Sequence, residues 1–495
     1  MATTKTVVLY LHYIAQKDNL AKPYPVLLVY QRISTMNKHI SSWVNKAIFY
    51  HIYPLGLFGA PLENDFFSPI VNRLERLQDW IPYMKSMGCN ALYLGPVFES
   101  DFHGYDTADY LLVDRRLGTN ETLKNLSSSL HENGIKLVLD TVFNHVGRNF
   151  WAFKDLQCNG ENSPYKDWFD GVDFSRNSTY GDDFFYEGWY DAYNLVKLNL
   201  ENTEVKKYLF EVVSFWVDEF KIDGLRLDVA EIMSKQFLAE LAEHSRQLQP
   251  DLWLMGEVIY GDYNEWANKN MLDSTTNYQA YKGLYSCHND CNYFEIAFTL
   301  NRQFGLDGVY KDLQLYNFVD NHDTTRIASI LTNEQHMFPL HAILYTMPGI
   351  PSLYYGSEWG IRGIKGAHED TLLRPEVAII PDPSSSSISR YIQQLAKIKL
   401  DSIALQEGDY EELFVDHQQF AFSRSTANEI IIILVNSAQE SVSITLVYDR
   451  DEGLQFQDQL DPEYLTTVHQ QQIVVNEIPG YGARILIGIR VIETL

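Results

Sequence analysis

The chain is poor in cysteine, poor in basic residues relative to acidic ones, and contains no long apolar run. Its four cysteines among 495 residues are too few for the disulfide framework of a small secreted protein. The 39 lysines and arginines face 65 aspartates and glutamates, giving a formal net charge of −26. Nucleic acids and anionic membranes both select basic surfaces, so this charge disfavours either as a partner. No stretch approaches the roughly 20 apolar residues of a membrane-spanning helix.

Two local features also bear on location and metal binding. The N-terminal stretch KTVVLYLHYIA contains a histidine and lacks a small-residue cleavage site, so it is a weak signal peptide. Met36, in the stretch ISTMNKHISSW, is a candidate for an alternative start. We therefore predict a cytoplasmic protein rather than a secreted one. Cys287 and Cys291 flank His288, but this spacing is unusual for zinc, and we predict no metal site there.

Apolar and aromatic side chains are abundant. Apolar residues make up 45% of the chain, which includes 32 Tyr, 26 Phe and 9 Trp. This composition excludes wholesale disorder and indicates a globular protein rich in aromatic surfaces. A barrel of strands and helices takes about 250 residues, so the length allows two or three modules.

Short apolar runs that end in polar residues alternate with amphipathic stretches. The runs are IFYHIYP, ALYLGPV, KLVLDTVFNH, GLRLDVAE, LWLMGEV, YNFVDNHD and PSLYYG. Alternation with stretches such as EVKKYLFEVVSFWVDEF predicts an α/β fold of parallel strands joined by helices. After the loop PDPSSSSIS and one further helix, only strand candidates follow, which predicts a C-terminal antiparallel β domain.

These patterns divide the chain into four parts. Residues 1–46 do not fit the alternation and form an N-terminal extension. Residues 47–145 and 199–402 carry the alternating strands and helices. Residues 146–198 are crowded with aromatic and polar side chains and indicate an insertion after the third strand, and residues 403–495 form the β domain.

The stretch LRLDVAEIM, at residues 225 to 233, ends an apolar run in charged residues. The two-residue period of a strand turns Arg226 and Asp228 to one face and the two leucines to the other. In a closed parallel barrel that face is the interior, and the carboxyl ends of the strands carry the chemistry.

Other strand candidates end in the same way. Asp140 ends KLVLD, Glu257 ends LWLMGE, and His322 with Asp323 ends the run NFVDNHD. A single aspartate after a strand is more often a helix N-cap than a catalyst. That explanation must be repeated at four strands, and burying so many acids without a ligand would be costly. We therefore expect a functional site at one rim.

In that order and on those strands, DTVFNH, GLRLDVAE, GEV and FVDNHD resemble the four signature regions of the α-amylase family of glycoside hydrolases. HGYDTADY and GIPSLYYGSEWG support the resemblance, which covers roughly residues 47 to 495. It implies a (β/α)8 barrel, an aromatic-rich insertion after the third strand, a C-terminal β-sandwich and retaining attack on α-glucosidic bonds. LVKLN and RLDVA resemble the neopullulanase and cyclomaltodextrinase branch, and we expect the larger N-terminal domain typical of that branch to be missing.

The resemblance also implies roles for individual residues. Asp228 would be the nucleophile, Glu257 the general acid/base and Asp323 the third carboxylate. We expect Arg226 to keep Asp228 ionised, while the more apolar surroundings of Glu257 let it hold a proton. The residues expected to contact the sugar are His103, Tyr105, Asp140, His145, Trp189, Arg226 and His322. Trp168 and Tyr193 are candidates, with Trp189, to stack on successive glucose rings or to form the insertion's own core.

Departures from the family pattern concern calcium. Glu231 and Ile232 replace a lysine and histidine pair, and Lys197 stands where an acidic ligand would be wanted. Since calcium needs about six oxygen ligands, Asn144 would lack co-ligands, and we predict no cofactor and weak calcium dependence.

The sequence thus predicts a retaining hydrolase of maltodextrins, cyclodextrins or starch fragments. A 4-α-glucanotransferase with the same residues and a non-catalytic carbohydrate-binding homologue are the alternatives. The intact carboxylates and the absence of a membrane span oppose the second alternative.

Overall fold

A computed structural model describes residues 43–366 and 370–489, and eight parallel strands form the central barrel. These are β1 Phe49–Ile52, β2 Ala91–Leu94, β3 Lys136–Thr141, β4 Gly224–Leu227, β5 Trp253–Gly256, β6 Ser274–Thr275, β7 Tyr316–Asn317 and β8 Ile350–Tyr354. Their order is β6-β5-β4-β3-β2-β1-β8-β7. A parallel bridge between Thr276 and Tyr316 closes the sheet between β6 and β7. The predicted fold class, a (β/α)8 barrel with a C-terminal antiparallel β domain, is confirmed.

Helices surround this barrel. Eight of those described are labelled α1 Trp80–Ser86, α2 Asn120–Glu132, α3 Thr203–Phe220, α4 Lys235–Leu248, α5 Tyr278–Asn289, α6 Phe294–Phe304, α7 Met337–Thr346 and α8 Ser387–Asp401. Further helices span Pro54–Leu57, Trp151–Asn159, Ile327–Ile330 and Ile403–Glu407. Asn202 begins α3 by accepting the backbone N–H groups of Glu204 and Val205, as expected of an N-cap. None of the described helices is long and apolar enough to cross a membrane.

The apolar runs revealed seven of the eight strands. They missed β6, which has only two residues, Ser274 and Thr275, and therefore leaves no apolar run. Between β5 and β6 the described chain has the short 3-10 turn Tyr263–Glu265 in place of a longer helix.

The alternation along β4 is as predicted. Leu225 and Leu227 belong to the apolar cluster between the sheet and its helices, whereas the Arg226 side chain points into the barrel, where it contacts Asp140 of β3. At the opposite, amino-terminal end of the barrel, Trp43 packs on Phe49 and Trp253 with ring centroids 6.0 Å apart in each case. Trp43 lies in the predicted N-terminal extension, of which residues 1–42 lie outside the described part.

Two loops at the carboxyl end are elaborated. After β2, the antiparallel pair Phe98–Ser100 and Thr107–Val113 carries the connecting turn with His103 and Tyr105. After β3, the insertion contains the helix Trp151–Asn159 and the three antiparallel strands His145–Gly147, Gly188–Trp189 and Ala192–Lys197.

The C-terminal domain consists of antiparallel strands. They are β9 Asp409–Val415, β10 Gln419–Ser425, β11 Glu429–Asn436, β12 Val442–Val447, β13 Gln455–Asp458, β14 Leu465–Thr467, β15 Gln472–Ile478 and β16 Gly482–Ile489. Six of them form one sheet in the order β9-β10-β11-β16-β13-β14, and β12 pairs with β15. The run EIIIILVN of β11 is apolar on both faces for a physical reason. Ile431 and Ile433 join the cluster that reaches the barrel helices, whereas Ile430 and Ile432 pack with the β12–β15 pair.

Candidate active site

Arg226 lies at the centre of a group of buried carboxylates at the carboxyl end of the barrel. Its NH1 atom is 2.9 Å from Asp140 Oδ1 and 2.8 Å from Asp228 Oδ1, and its NH2 atom is 2.9 Å from Glu257 Oε1. One guanidinium thus joins the ends of three neighbouring strands. Because NH1 and NH2 belong to one rigid planar group, the carboxylates of Asp228 and Glu257 are held close together.

The surroundings of Asp228 and Glu257 are more alike than the sequence predicts. Both side chains are 9% exposed, and both contact Arg226. Burial raises the pKa of Asp228 well above its usual range, against the opposing attraction of Arg226. Three carboxylates share one positive charge, so a proton within the group relieves their mutual repulsion.

Glu257 is also held by the backbone of the β4 loop. The Val229 N–H donates to Glu257 Oε2 at 3.0 Å. The Tyr278 hydroxyl lies 3.5 Å from the other carboxyl oxygen, Oε1. The side chain is therefore restrained from two directions.

Asp140 is tied to two tyrosines. The hydroxyls of Tyr93 and Tyr105 donate to Asp140 Oδ2 at 2.7 and 2.8 Å. The Tyr105 ring stacks on the His322 ring, with 5.5 Å between centroids and 6° between planes, and the Tyr105 hydroxyl also contacts His322 Nε2. Tyr105 thus connects the β2 hairpin to both β3 and β7.

Asp323 belongs to a second charged group, with His322 and Arg374. Its carboxylate lies 2.8 Å from His322 Nε2 and 2.7 Å from Arg374 NH2. Burial pushes the pKa of Asp323 upward, but His322 and Arg374 outweigh it and hold the pKa well below its usual range. The side chain is 30% exposed, so an ionised carboxylate faces the open end of the barrel.

His145 and His103 lie beside these groups. Asn144 Nδ2 contacts His145 Nδ1 at 3.1 Å. If the amide donates this bond, the ring proton is on Nε2, which is buried without a protein partner. Burial lowers the pKa of His145 to about 3, so its ring is neutral. His103 accepts the Tyr105 N–H at Nδ1 over 3.2 Å and is 30% exposed.

A cleft of about 340 Å³ adjoins His145 on the insertion side. Its lining residues are Asn144, Phe185, Glu187, Gly188, Trp189, Tyr190, Tyr193, Lys197 and Ile232. The Trp189 ring is 6.1 Å from that of His145, and its indole N–H has no protein partner. Trp189 and Tyr193 therefore line the same cleft, beside His145.

Residues 72–394 match the family Alpha-amylase, described as "Alpha amylase, catalytic domain". The chain belongs to the α-amylase family. It is 30% identical over 429 residues to a cyclomaltodextrinase of Geobacillus thermopakistaniensis (strain MAS1), covering 82% of this chain and 71% of the relative. It is also 30% identical over 455 residues to neopullulanase 2 of Thermoactinomyces vulgaris, covering 87% and 75%.

Among solved structures, the debranching enzyme from Nostoc punctiforme is similar in fold and 27% identical. Its TM-score is 0.76, and the match covers 91% of this chain and all of that one. The predicted membership of the α-amylase family of glycoside hydrolases is confirmed.

The α-amylase family resemblance raised the question of calcium near Asn144. Lys197 Nζ is 2.9 Å from Asp170 Oδ2 and 3.3 Å from Glu187 Oε2, so a fixed positive charge already neutralises the nearby carboxylates. No group of three or more His, Cys, Asp or Glu side chains suited to a metal occurs in the described part of the chain. These residues do not fit a calcium ion, which requires about six oxygen ligands.

The cysteine pair does not form such a group either. Cys287 is buried and Cys291 exposed. His288 Nδ1 contacts the Leu284 carbonyl oxygen at 2.6 Å, and its Nε2 contacts the Tyr293 hydroxyl at 3.1 Å. Both ring nitrogens of His288 thus have partners inside the protein.

Of the two alternatives for Trp168, a cleft wall or the insertion's own core, the structure agrees with the core. Trp168 is 6% exposed and packs against Trp151, Tyr165 and Tyr208 at centroid distances of 5.5, 5.1 and 5.6 Å. Its ring therefore belongs to the apolar core that joins the insertion to the start of α3.

Sequence reasoning missed three residues at this site, namely Tyr93, Tyr278 and Arg374. It considered Glu231 only in relation to calcium and not for its contacts with the β5 loop. Tyr93 could have been found from the two-residue period of β2, which turns it into the barrel. Arg374 follows an irregular loop after β8, and no local pattern indicates that its Nε donates to the His322 carbonyl oxygen at 3.0 Å.

Proposed function

We propose that this α-amylase family member hydrolyses α-1,4-glucosidic and also α-1,6-glucosidic bonds of maltodextrins, cyclodextrins or starch fragments by double displacement with retention. The observation that carries the proposal is the bridging of Asp228 and Glu257 by one guanidinium. Retaining glycosidases need two carboxyl groups about 5 Å apart, and Arg226 contacts both of them at 2.8 and 2.9 Å. The printed names of the cyclomaltodextrinase and the neopullulanase support the substrate class.

In the first step an Asp228 carboxylate oxygen attacks the anomeric carbon while the glucosidic C–O bond breaks. Glu257 gives its proton to the departing sugar oxygen. Arg226 stabilises the negative charge that Asp228 needs for attack, since burial alone would favour its protonated form. When Glu257 is protonated, the positive charge of the Arg226 guanidinium faces only two negative charges, those of Asp140 and Asp228.

In the second step water replaces the departed sugar. Glu257 removes a proton from the water, the water oxygen bonds to the anomeric carbon, and the ester bond to Asp228 breaks. Two inversions leave the product in the α configuration.

We infer that Asp323, His145 and His322 hold the sugar whose bond is cleaved. Asp323 is ionised and accepts sugar hydroxyls, while the unpartnered His145 Nε2 donates to one. Tyr105 stacks beneath the ring as an aromatic platform. His103 would contact the same sugar from the hairpin rim, and Trp189 would contact sugars further along the chain.

The experiment is a product time course on maltoheptaose, pullulan and β-cyclodextrin, with the first-formed anomer read by NMR. We expect shorter maltooligosaccharides that are initially α. Asp228→Asn should fold normally and lower turnover by several orders of magnitude, because no covalent intermediate can form. Near-normal turnover of this variant, or β products, would contradict the assignment.

The same time course at high maltooligosaccharide concentration distinguishes hydrolysis from glucanotransfer. Products longer than the substrate would indicate that a sugar hydroxyl, rather than water, intercepts the intermediate. A protein that binds these sugars but forms no product would be the non-catalytic homologue. The cytoplasmic location stays a prediction.

A further inference from the structure

The loops that follow β4 and β5 exchange hydrogen bonds in both directions. From the β4 loop, the Val229 N–H donates to Glu257 Oε2 at 3.0 Å. From the β5 loop, the N–H groups of Ile259 and Tyr260 donate to Glu231 Oε2 at 2.8 and 3.1 Å. Each loop thus supplies a carboxylate that the backbone of the other loop binds.

The four residues that leave β5 are all held through their backbone N–H groups. The Glu257 N–H donates to the Leu227 carbonyl oxygen at 2.9 Å, and the Val258 N–H donates to Thr276 Oγ1 at 2.9 Å. The next two N–H groups go to the single oxygen Oε2 of Glu231. The first two N–H groups thus bond to the chain at the ends of β4 and β6. Beyond them, Glu231 is the residue that holds the β5 loop.

The β4 loop is under strain where this exchange begins. Val229 has a φ of 44°, in the left-handed region that β-branched residues rarely adopt, and such conformations cost of order 1–3 kcal/mol unless the surroundings enforce them. On one side of Val229, the Asp228 N–H donates to the Thr141 carbonyl oxygen at 3.1 Å. On the other, Glu231 is anchored by the β5 loop.

We propose that Glu231 is a positioning residue that orients the carboxyl group of Glu257 toward the departing sugar oxygen. It acts by joining the β4 and β5 loops, which keeps the Val229 N–H on Glu257 Oε2. This inference rests on the proposed function, in which Glu257 is the proton donor. The positioning effect of Glu231 does not depend on its charge, since its contacts require only an acceptor oxygen at the end of the side chain.

Leaving-group dependence provides the test. Proton donation matters most when the departing group is a sugar alcohol and little when it is an acidic phenol such as 2,4-dinitrophenol. The parameter kcat/KM is measured for maltoheptaose and for a 2,4-dinitrophenyl α-maltoside, because it reports only the steps through formation of the intermediate. The variants are Glu231→Ala, Glu231→Gln and Glu257→Gln.

We expect Glu231→Ala to lower kcat/KM for maltoheptaose by roughly 10-fold to 100-fold, as for a misplaced catalytic group, and for the activated maltoside by less than about 3-fold. Glu231→Gln keeps an acceptor oxygen and should restore most of the activity. Glu265→Ala is the matched control, because it removes an exposed glutamate of the same loop region that pairs with Lys235. It should leave both substrates unaffected.

Equal losses on the two substrates, or no loss on either, would overturn the positioning role. Glu257→Gln separates this failure from failure of the proposed function. If Glu257→Gln shows no leaving-group selectivity, the proton donor itself is misassigned; if it does and Glu231→Ala does not, only the inference fails. Should the alanine variant not fold, Glu231→Asp, whose shorter side chain cannot reach both N–H groups, should show the same selectivity, and its absence would count equally against the role.

Discussion

Glu358 should make the stability of this protein depend on pH in a defined window. It lies in the turn after β8 and is fully buried. Its Oε1 accepts the hydroxyls of Tyr50 and Tyr83 at 2.7 and 3.0 Å, while its Oε2 has no protein partner. Burial raises the pKa of Glu358 from 4.5 to about 7, so at pH 5.5 the folded protein holds a proton that the unfolded chain releases.

The direction follows from proton linkage. Between pH 4.5 and 7 the folded state binds the extra proton, so the free energy of unfolding falls as pH rises, by about 1.4 kcal/mol per unit. The contribution is fully present below pH 4.5 and lost above pH 7. From pH 5.5 to 8 the loss is therefore about 2 kcal/mol. Measurements closer to the isoelectric point of about 4.9 would meet low solubility.

Glu358→Gln mimics the protonated form, because its carbonyl oxygen can still accept both tyrosine hydroxyls. We expect the free energy of unfolding of the variant, relative to the native protein, to increase by about 2 kcal/mol from pH 5.5 to 8, measured by urea unfolding or as a melting-temperature difference of a few degrees. Glu63→Gln, at an exposed position, is the control and should show no trend. Parallel pH profiles for the Glu358→Gln and native proteins would refute the reasoning.

A second buried group should act in the adjoining window with the opposite sign. Lys399 Nζ donates to the carbonyl oxygens of Gly349 and Leu405 at 3.3 and 3.0 Å, and burial, followed by Arg424, lowers its pKa from 10.5 to about 7. The unfolded chain holds the proton between pH 7 and 10.5, so stability rises with pH there, and Lys399→Met should lose this rise. Trp189→Ala should raise KM more for long maltodextrins than for maltotriose, because a cleft wall touches sugars beyond the cleaved bond; Trp168→Ala, in contrast, should lower the melting temperature at unchanged kinetics, and equal losses on both substrate lengths would contradict the role of Trp189. Dialysis against a chelator should leave most activity and thermal stability, because Lys197 occupies the carboxylates near Asn144; a large fall in melting temperature restored specifically by calcium would show otherwise.

The strand ends were predictable because two elementary rules act together. A two-residue period decides which side chains enter the barrel, and parallel strands bring their carboxyl ends to one rim. Asp140, Arg226 and Glu257 could therefore be placed together from three separate apolar runs. The short β6 could not be predicted in this way, because its two residues, Ser274 and Thr275, form no apolar run in the sequence.

What the sequence could not predict is how charge is distributed among these groups. Arg226 was expected to keep Asp228, two residues away, ionised. It also contacts Glu257 at the end of the next strand. That contact results from the register of the barrel strands and not from proximity in the sequence. Likewise, the positive charge beside Asp323 comes from Arg374, 51 residues later, across a loop without a regular pattern. The expected difference between an ion-paired nucleophile and an acid in apolar surroundings is consequently absent. The two carboxyl groups must instead be distinguished by their hydrogen bonds, since only Glu257 receives an N–H from the strained Val229, and this is the contact that Glu231 supports.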